Sequence, residues 1–490
     1  MTATIPAAPP VSAHAHASTY SDRWRKIALL VVALAFVMDL MDATILNIAL
    51  PTIQNTLHAG AAALQWMAAG YTLTFALLLI TGGRMGDVFG YKKLFLIGVL
   101  GFMVSSLLVG VSWSPQSLIV ARLVQGATAA LMVPQVLSIV QLLYKADERV
   151  AVNGMLGGLS VLATTLAPIV TGLLIKANIG GLSWRPIFLI NIPICLAALV
   201  LAMKYLPNGK SQHPLTIDVA GTLMVALAIG LLVFPLIQGH EYGWPTWAFV
   251  MMAVSVPVFG VFAYWQRRKA RVGDSPLVIP ALFKHRSFSV GLTINLLVFA
   301  TMACFALTFT LVLQLGHGFS AIRTVLTALF ITIGILPTIG LLSKKVIPAL
   351  GRWSLTLGAA VMALGTAAAG ILVTSAGTDL STWRLGPALL VIGCGMGLIF
   401  APLMPFILSN VDPQDAGSAS GTANAVQQVG GALGIGLIGV VFFGQLASRA
   451  DYDQAFGRGV WLQLVLLVVC VVLSFFLPRR IAAEAYTQQR

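Results

Sequence analysis

Fourteen stretches of roughly twenty apolar residues follow one another along the chain, separated by short polar connections. They lie near 27–49, 61–82, 94–113, 117–141, 151–175, 186–204, 217–237, 247–265, 287–314, 321–341, 354–375, 385–408, 418–445 and 459–477. A helix of that length crosses a hydrocarbon core of about 30 Å. Inside such a core each backbone N–H and C=O must be satisfied within its own segment, which a helix does and an open strand cannot. The expected fold is therefore an all-α polytopic membrane protein with 14 transmembrane helices. Charge agrees: Asp, Glu, Lys and Arg make up 9% of 490 residues, against about a quarter in an ordinary soluble domain.

An even number of spans puts both termini on one side, and the basic residues choose it. With the N-terminus inside, 22 of the 29 Lys and Arg fall on the inner side, six lie in or beside outer loops, and Arg122 lies within a span. The inner clusters are Arg23/Arg25/Lys26, Lys92/Lys93, Arg267/Arg268/Lys269/Arg271, Lys344/Lys345 and Arg479/Arg480. The expected location is a bacterial-type inner (plasma) membrane with both termini cytoplasmic. A net charge of +14 would otherwise suggest nucleic acid, but charge spread over short loops does not, and no nucleic-acid partner is expected.

Residues 1–22 read as a disordered cytoplasmic tail and 481–490 as a second one. The inner loop Gly83-Arg84-Met85-Gly86-Asp87-Val88-Phe89-Gly90-Tyr91-Lys92-Lys93 has a looser echo from Gly340 through Lys344-Lys345 to Gly351-Arg352. If the two correspond, the chain divides into an N-terminal six-helix half (23–206), an inserted two-helix linker (207–270) and a C-terminal six-helix half (271–480). Repeated halves around a midplane site are a transporter architecture.

Catalytic chemistry is poorly provided for. Gly209-Lys210-Ser211 resembles the end of a phosphate-binding loop, but Lys204 stands where the first glycine is required. Gly434-x-Gly436-x-x-Gly439 lies mid-span with no preceding strand, so it reads as close helix packing. Cys195, Cys304, Cys394 and Cys470 lack metal spacing, and no metal or other cofactor is expected. Trp66, Trp113, Trp184, Trp244 and Trp247 fall near outer boundaries as candidate interface anchors.

The informative residues are the ionisable groups at membrane depth, each costing about 2.5–3.5 kcal/mol to insert. They are Asp39 and Asp42 in the first span and Arg122 in the fourth. At about 1.5 Å of rise per residue, Asp39 lies roughly 18 Å and Asp42 roughly 22 Å from the inner start, while Arg122 lies about 8 Å from the outer face. Asp42 and Arg122 thus share a level and can pair, whether as a fixed structural bridge or as a working one. Gln125 falls near the level of Asp39, leaving that acid without a cation and free to bind or release a proton.

The loop around Gly83, Asp87, Gly90, Lys92 and Lys93 resembles the defining loop of the major facilitator superfamily, with Val88 and Tyr91 where that family usually carries basic residues. Met41-Asp42-Ala43-Thr44-Ile45-Leu46-Asn47 through Pro51 resembles the first span of the fourteen-helix drug:proton antiporters, the EmrB/QacA type. Leu64-Gln65-Trp66 with Tyr71, Arg122 with Gln125-Gly126, Trp184-Arg185 with Asn191-Ile192-Pro193, and Gln427-Gln428 through Gly434 follow in the same order. The span-5 motif departs from the family, reading Ala167-Pro168-Ile169-Val170-Thr171-Gly172. The resemblance implies a secondary active transporter rather than an enzyme, exporting hydrophobic, cationic compounds by proton-coupled alternating access. A proton gradient would supply the energy; small-molecule substrates, protons and the lipid bilayer would be the partners of a monomer. Asp42, Asp39 and Arg122 would couple protons. Asp39, Asn47, Tyr71 and Gln125 would line the substrate cavity, Gly83, Asp87, Gly90, Lys92 and Lys93 would gate it, and Pro168 and Gly172 would shape the antiporter-motif helix. Export of one endogenous metabolite, antibiotic or lipid, or proton-coupled import, would use the same fold.

Overall fold

The computed structural model describes residues 21–211, 216–342, 349–412, 414–449 and 451–479. Lys344, Lys345, Arg480 and most of both tails lie outside them, and with them much of the second copy of the loop echo. Fourteen helices are long and apolar enough to cross a membrane, and the described residues contain no strand. We number them α1 (Asp22–Leu57), α2 (Ala61–Phe89), α3 (Tyr91–Gly110), α4 (Pro115–Leu143), α5 (Ala146–Ala177), α6 (Pro186–Tyr205) and α7 (Val219–Gln238). The rest are α8 (Thr246–Arg271), α9 (Arg286–Gly316), α10 (Ala321–Gly340), α11 (Trp353–Ala376), α12 (Thr382–Leu408), α13 (Ala416–Arg449) and α14 (Tyr452–Ser474).

Polar residues mark the helix starts, where the first N–H groups lack intrahelical partners. Ser21 accepts from the Trp24 N–H, and Ser114 and Ser117 cap each other reciprocally with Pro115 in the first turn. Asp451 accepts from the N–H groups of Asp453 and Gln454. The outward faces carry the apolar belt: Ile97, Leu100, Val104 and Leu108 on α3, and Val254, Val256 and Val261 on α8, are exposed. Trp184 is the exception among the expected interface anchors. It is fully buried, with its indole N–H on Thr56 Oγ1 at 2.8 Å, whereas Trp113 is 79% exposed.

Small residues set the closest helix approaches. A Cβ on Gly82 would collide with the Ala130 carbonyl and one on Gly126 with the Tyr71 carbonyl, so α2 and α4 pack backbone to backbone. On the side away from the basic loops, the two halves meet. Gln314 Nε2 donates to the Ile48 carbonyl at 3.1 Å, a Cβ on Gly439 would strike the Gln65 side chain, and one on Gly172 would sit 3.1 Å from Ile322 Cα. Toward the basic loops they part, and Gly154, Gly157 and Gly158 of α5 and Gly417 and Gly421 of α13 face open space.

The pair α7–α8 lies beside α2, with α7 also reaching α13 through Leu236 and Gly436. Thr81 and Thr222 share a hydrogen bond at 2.8 Å near one end of α7; Trp66 donates to Gln238 at 3.3 Å and the Ala62 N–H to Glu241 at 3.1 Å near the other. The ends of the pair converge on one side chain. Arg84 Nη1 donates to the carbonyls of Thr216 and Ser275 at 3.0 and 3.1 Å, and Nη2 to those of Pro276 and Leu277. Beside it Asp218 caps α7 and takes hydrogen bonds from Trp265 (3.0 Å) and Gln266 (2.8 Å), while Lys269 bridges it to Asp274. Burial pushes the Asp218 carboxyl up, but the Trp265, Gln266 and Gly221 donors and the Lys269 ammonium outweigh it and hold it below the usual carboxylate range. Asp274, partly exposed, is drawn down to about 2 by the Thr216 hydroxyl, Lys269 and the Ser275 N–H.

Candidate functional site

Two linked features make up the site, one within the N-terminal half and one between the two halves. The first is a closed polar cluster. Asp42 is fully buried and ion-paired with Arg122, which is 1% exposed. Gln125, one turn along α4, donates to Asp42 Oδ1 at 3.0 Å and accepts from Arg122 Nη1 at 2.8 Å. Asn191 at the start of α6 donates to Asp42 at 3.3 Å, and Ser106 of α3 accepts from both Gln125 (2.9 Å) and Asn191 (3.4 Å). The Arg122 guanidinium stacks 4.4 Å from the Tyr71 ring centroid, leaving Nε without a partner. Four helices thus compensate one buried carboxylate, as an unpaired charge at this depth requires.

The second feature is a cavity of about 710 Å³ opening toward the basic loops. Asp39 stands at its deep end, on the same face of α1 as Asp42, and accepts a hydrogen bond from the Tyr71 hydroxyl. Apolar side chains of α1 and α2, among them Phe36, Leu40, Phe75 and Leu79, make one wall; α13 makes the opposite wall with Ser418, Ser420, Asn424, Gln427 and Gln428. Asp87, Asn153 and Gly417 stand near the mouth.

The residues singled out from sequence divide accordingly. Asp42 and Arg122 meet. Gln125 belongs to Asp42 rather than to Asp39, because it shares the α4 face of Arg122; the partner of Asp39 is Tyr71. Of the four residues assigned to the cavity, Asp39 is on its wall. Tyr71 and Gln125 are buried behind it, and Asn47 is half-buried farther along α1 and off that wall. Gly83 lines the cavity. Among the described residues Asp87 pairs with neither a cation nor a helix N-terminus; its carboxylate accepts from the Tyr91 hydroxyl at 2.9 Å. Gly90 has φ +100°, a conformation that favours glycine, and lets the Tyr91 N–H reach the Gly209 carbonyl at 2.9 Å. Lys92 caps the Met203 carbonyl at 2.7 Å and Lys93 is exposed. Pro168 lies within α5, and Gly172 is its contact with α10.

Sequence reasoning gave no site role to Ser106, to buried Arg84, or to Asn191 and the polar face of α13, although Asn191, Gln427 and Gln428 fall within the motifs of the family resemblance. The α13 face had a readable signal: Gly417, Ser420/Gly421, Asn424 and Gln427/Gln428 recur at three- and four-residue spacing within an apolar span. Described His, Cys, Asp and Glu residues form no group of three able to hold a metal.

Comparison with known proteins decides the family. The Major Facilitator Superfamily model matches residues 32–435. The chain belongs to the major facilitator superfamily. It is 38% identical over 435 residues to the probable actinorhodin transporter of Streptomyces coelicolor, covering 88% of this chain and 74% of that protein. It is 32% identical over 427 residues to the tetracenomycin C resistance and export protein of Streptomyces glaucescens, covering 86% and 76%. The fold is that of a bacterial homologue of the human lysosomal transporter Spinster, with a TM-score of 0.67 at 16% identity over 96% of this chain and 99% of that one. The protein is a multi-pass membrane transporter rather than an enzyme, and its curated relatives are drug and antibiotic resistance and export proteins, consistent with the fourteen-helix drug:proton antiporter family.

Proposed function

We propose that the protein is a proton-coupled efflux antiporter for hydrophobic compounds, working by alternating access in a bacterial-type inner membrane with the basic face and both termini cytoplasmic. The observation that carries this reading is the Asp42–Arg122 pair, buried one helical turn from an acid that opens to a one-sided cavity. The basic loops around its mouth support a cytoplasmic opening for that cavity, the side on which an exporter would load. A proton arriving from outside would neutralise Asp42 or Asp39 and loosen the hold on Arg122. The carboxamides of Gln125 and Asn191 would keep Asp42 solvated through that change. Substrate would leave outward, and return to the observed state would release the proton inward. A potential of about 100 mV supplies about 2.3 kcal/mol per charge moved, enough for about fifty-fold accumulation. Asp87, with Gly83, Gly90, Lys92 and Lys93, would hold the cytoplasmic gate.

The test is substrate uptake into everted vesicles with and without an imposed proton gradient. Uptake by wild type should need the gradient, and Asp42→Asn should abolish gradient-driven uptake of every substrate. Gradient-driven uptake at wild-type rates by Asp42→Asn would refute the coupling role. A second reading, narrow specificity for one antibiotic-like compound, is favoured by relatives that carry single-compound names.

A further inference from the structure

The cavity has two unlike walls, and their chemistry narrows what fits between them; this inference rests on the transporter reading above. The α1–α2 wall is apolar between Asp39 at its deep end and Arg84 and Asp87 toward its mouth, where the Arg84 guanidinium is taken up by backbone carbonyls and Asp87 by the Tyr91 hydroxyl. On the α13 wall the carboxamides of Asn424, Gln427 and Gln428 have no hydrogen-bond partner among the described residues, and Asn153 at the mouth has none either. Unpartnered amides on a membrane-spanning helix are costly unless something polar meets them. In this open state water can do so. A molecule that displaces that water must return the hydrogen bonds, and one that cannot is rejected far more strongly than one that merely fits loosely.

A lipophilic cation is a poor match. One oxygen of Asp39 already accepts from Tyr71, Asp87 is engaged by Tyr91, and no Trp or Tyr stands on the described wall to face a positive charge. The amides, by contrast, both donate and accept. We propose that the cavity takes uncharged, flat molecules that bury an apolar face against Phe36 and Phe75 and present hydroxyl and carbonyl groups along one edge to Asn424, Gln427 and Gln428. At about 710 Å³ it holds one such molecule of several fused rings.

Two steroids of one ring skeleton isolate the hydroxyl contribution: hydrocortisone carries several hydroxyls and progesterone none. Binding of each to the full-length protein in nanodiscs is measured by scintillation proximity, with tetraphenylphosphonium as the cation. Wild type should bind hydrocortisone at least about tenfold more tightly than progesterone, as two or more returned hydrogen bonds require. The Asn424→Leu/Gln428→Leu variant should lose that preference while still binding progesterone, which shows that it folds; Gln427→Leu alone should reduce the preference if the double variant does not fold. Equal binding of the two steroids by wild type, no binding of either, a preference that survives these substitutions, or tighter binding of tetraphenylphosphonium than of hydrocortisone would each overturn the proposal. Failure of the transport reading is a separate result, the absence of gradient dependence in everted vesicles, and the binding measurement is read apart from it.

Discussion

Two glycines on one helix should drive the protein in opposite directions. At Gly172 an added Cβ would lie 3.1 Å from Ile322 Cα and 3.3 Å from its N. These are backbone atoms that give way only if α10 itself moves. Gly172→Leu should therefore cost the observed state about 1–3 kcal/mol of overpacking. At about 1.4 kcal/mol per tenfold, that moves the conformational equilibrium about 5- to 150-fold toward the state in which the outer ends of α5 and α10 separate. At Gly157 an added Cβ meets nothing within 4 Å. Gly157→Leu costs the observed state no contact, and under the proposed alternating access its penalty would fall on the alternate state, in which the ends nearest the basic loops would close. Double electron–electron resonance reads both, with spin labels at exposed Ile179 and Trp383 on the outer side and the four native cysteines replaced. Gly172→Leu should populate longer distances; Gly157→Leu should hold the short, outer-closed distance even when a proton gradient or substrate is supplied. Shifts in the same direction, or unchanged distributions in both, would refute this assignment of the closing surfaces.

Arg122→Ala strands Asp42 in the core and should cost about 3–5 kcal/mol. Arg122→Lys should recover only part of it, because an ammonium lacks the planar fork; thermal unfolding in detergent measures both, and a stable Arg122→Ala protein would refute the pairing argument. Asp87→Asn should fold and transport poorly, and Tyr91→Phe, which removes its hydrogen bond, should match it in vesicle uptake; full activity in Tyr91→Phe would refute a gate held by that bond. Asp218 and Asp274 both sit below the usual carboxylate range when folded, so their contribution is complete above about pH 4 and fades as pH falls toward 2. Protease cleavage around residues 272–276 should accordingly stay flat between about pH 8 and 5, and a rise within that window would refute the anchor.

The fourteen helices are legible because a bilayer imposes one length and one polarity on each. The meeting of Asp42 and Arg122 is legible for a similar reason, since helical rise alone brings the two to one level. The same arithmetic fails at Gln125, where level matters less than which face of α4 a residue shares. Arg84 reads as one more loop cation because its partners are backbone carbonyls, which have no side-chain identity to recognise and lie more than a hundred residues away in the chain. The α13 face is written plainly in its spacing, yet Gln427 and Gln428 carry weight in sequence only through family resemblance. Their orientation into the cavity depends on how α13 is rotated, which the pattern alone does not give.

The Arg84 clasp bears on how such a chain could gain or lose helices. Thr216 and Ser275 are bonded to the same nitrogen at 3.0 and 3.1 Å, so their carbonyl oxygens stand within about 6 Å of each other, two hydrogen-bond lengths across one donor. The stretch between them could be spliced out with a bridge of a few residues and leave the remaining twelve helices with their ends in register. On that geometry α7–α8 would behave as a removable unit, its borders set by a single guanidinium.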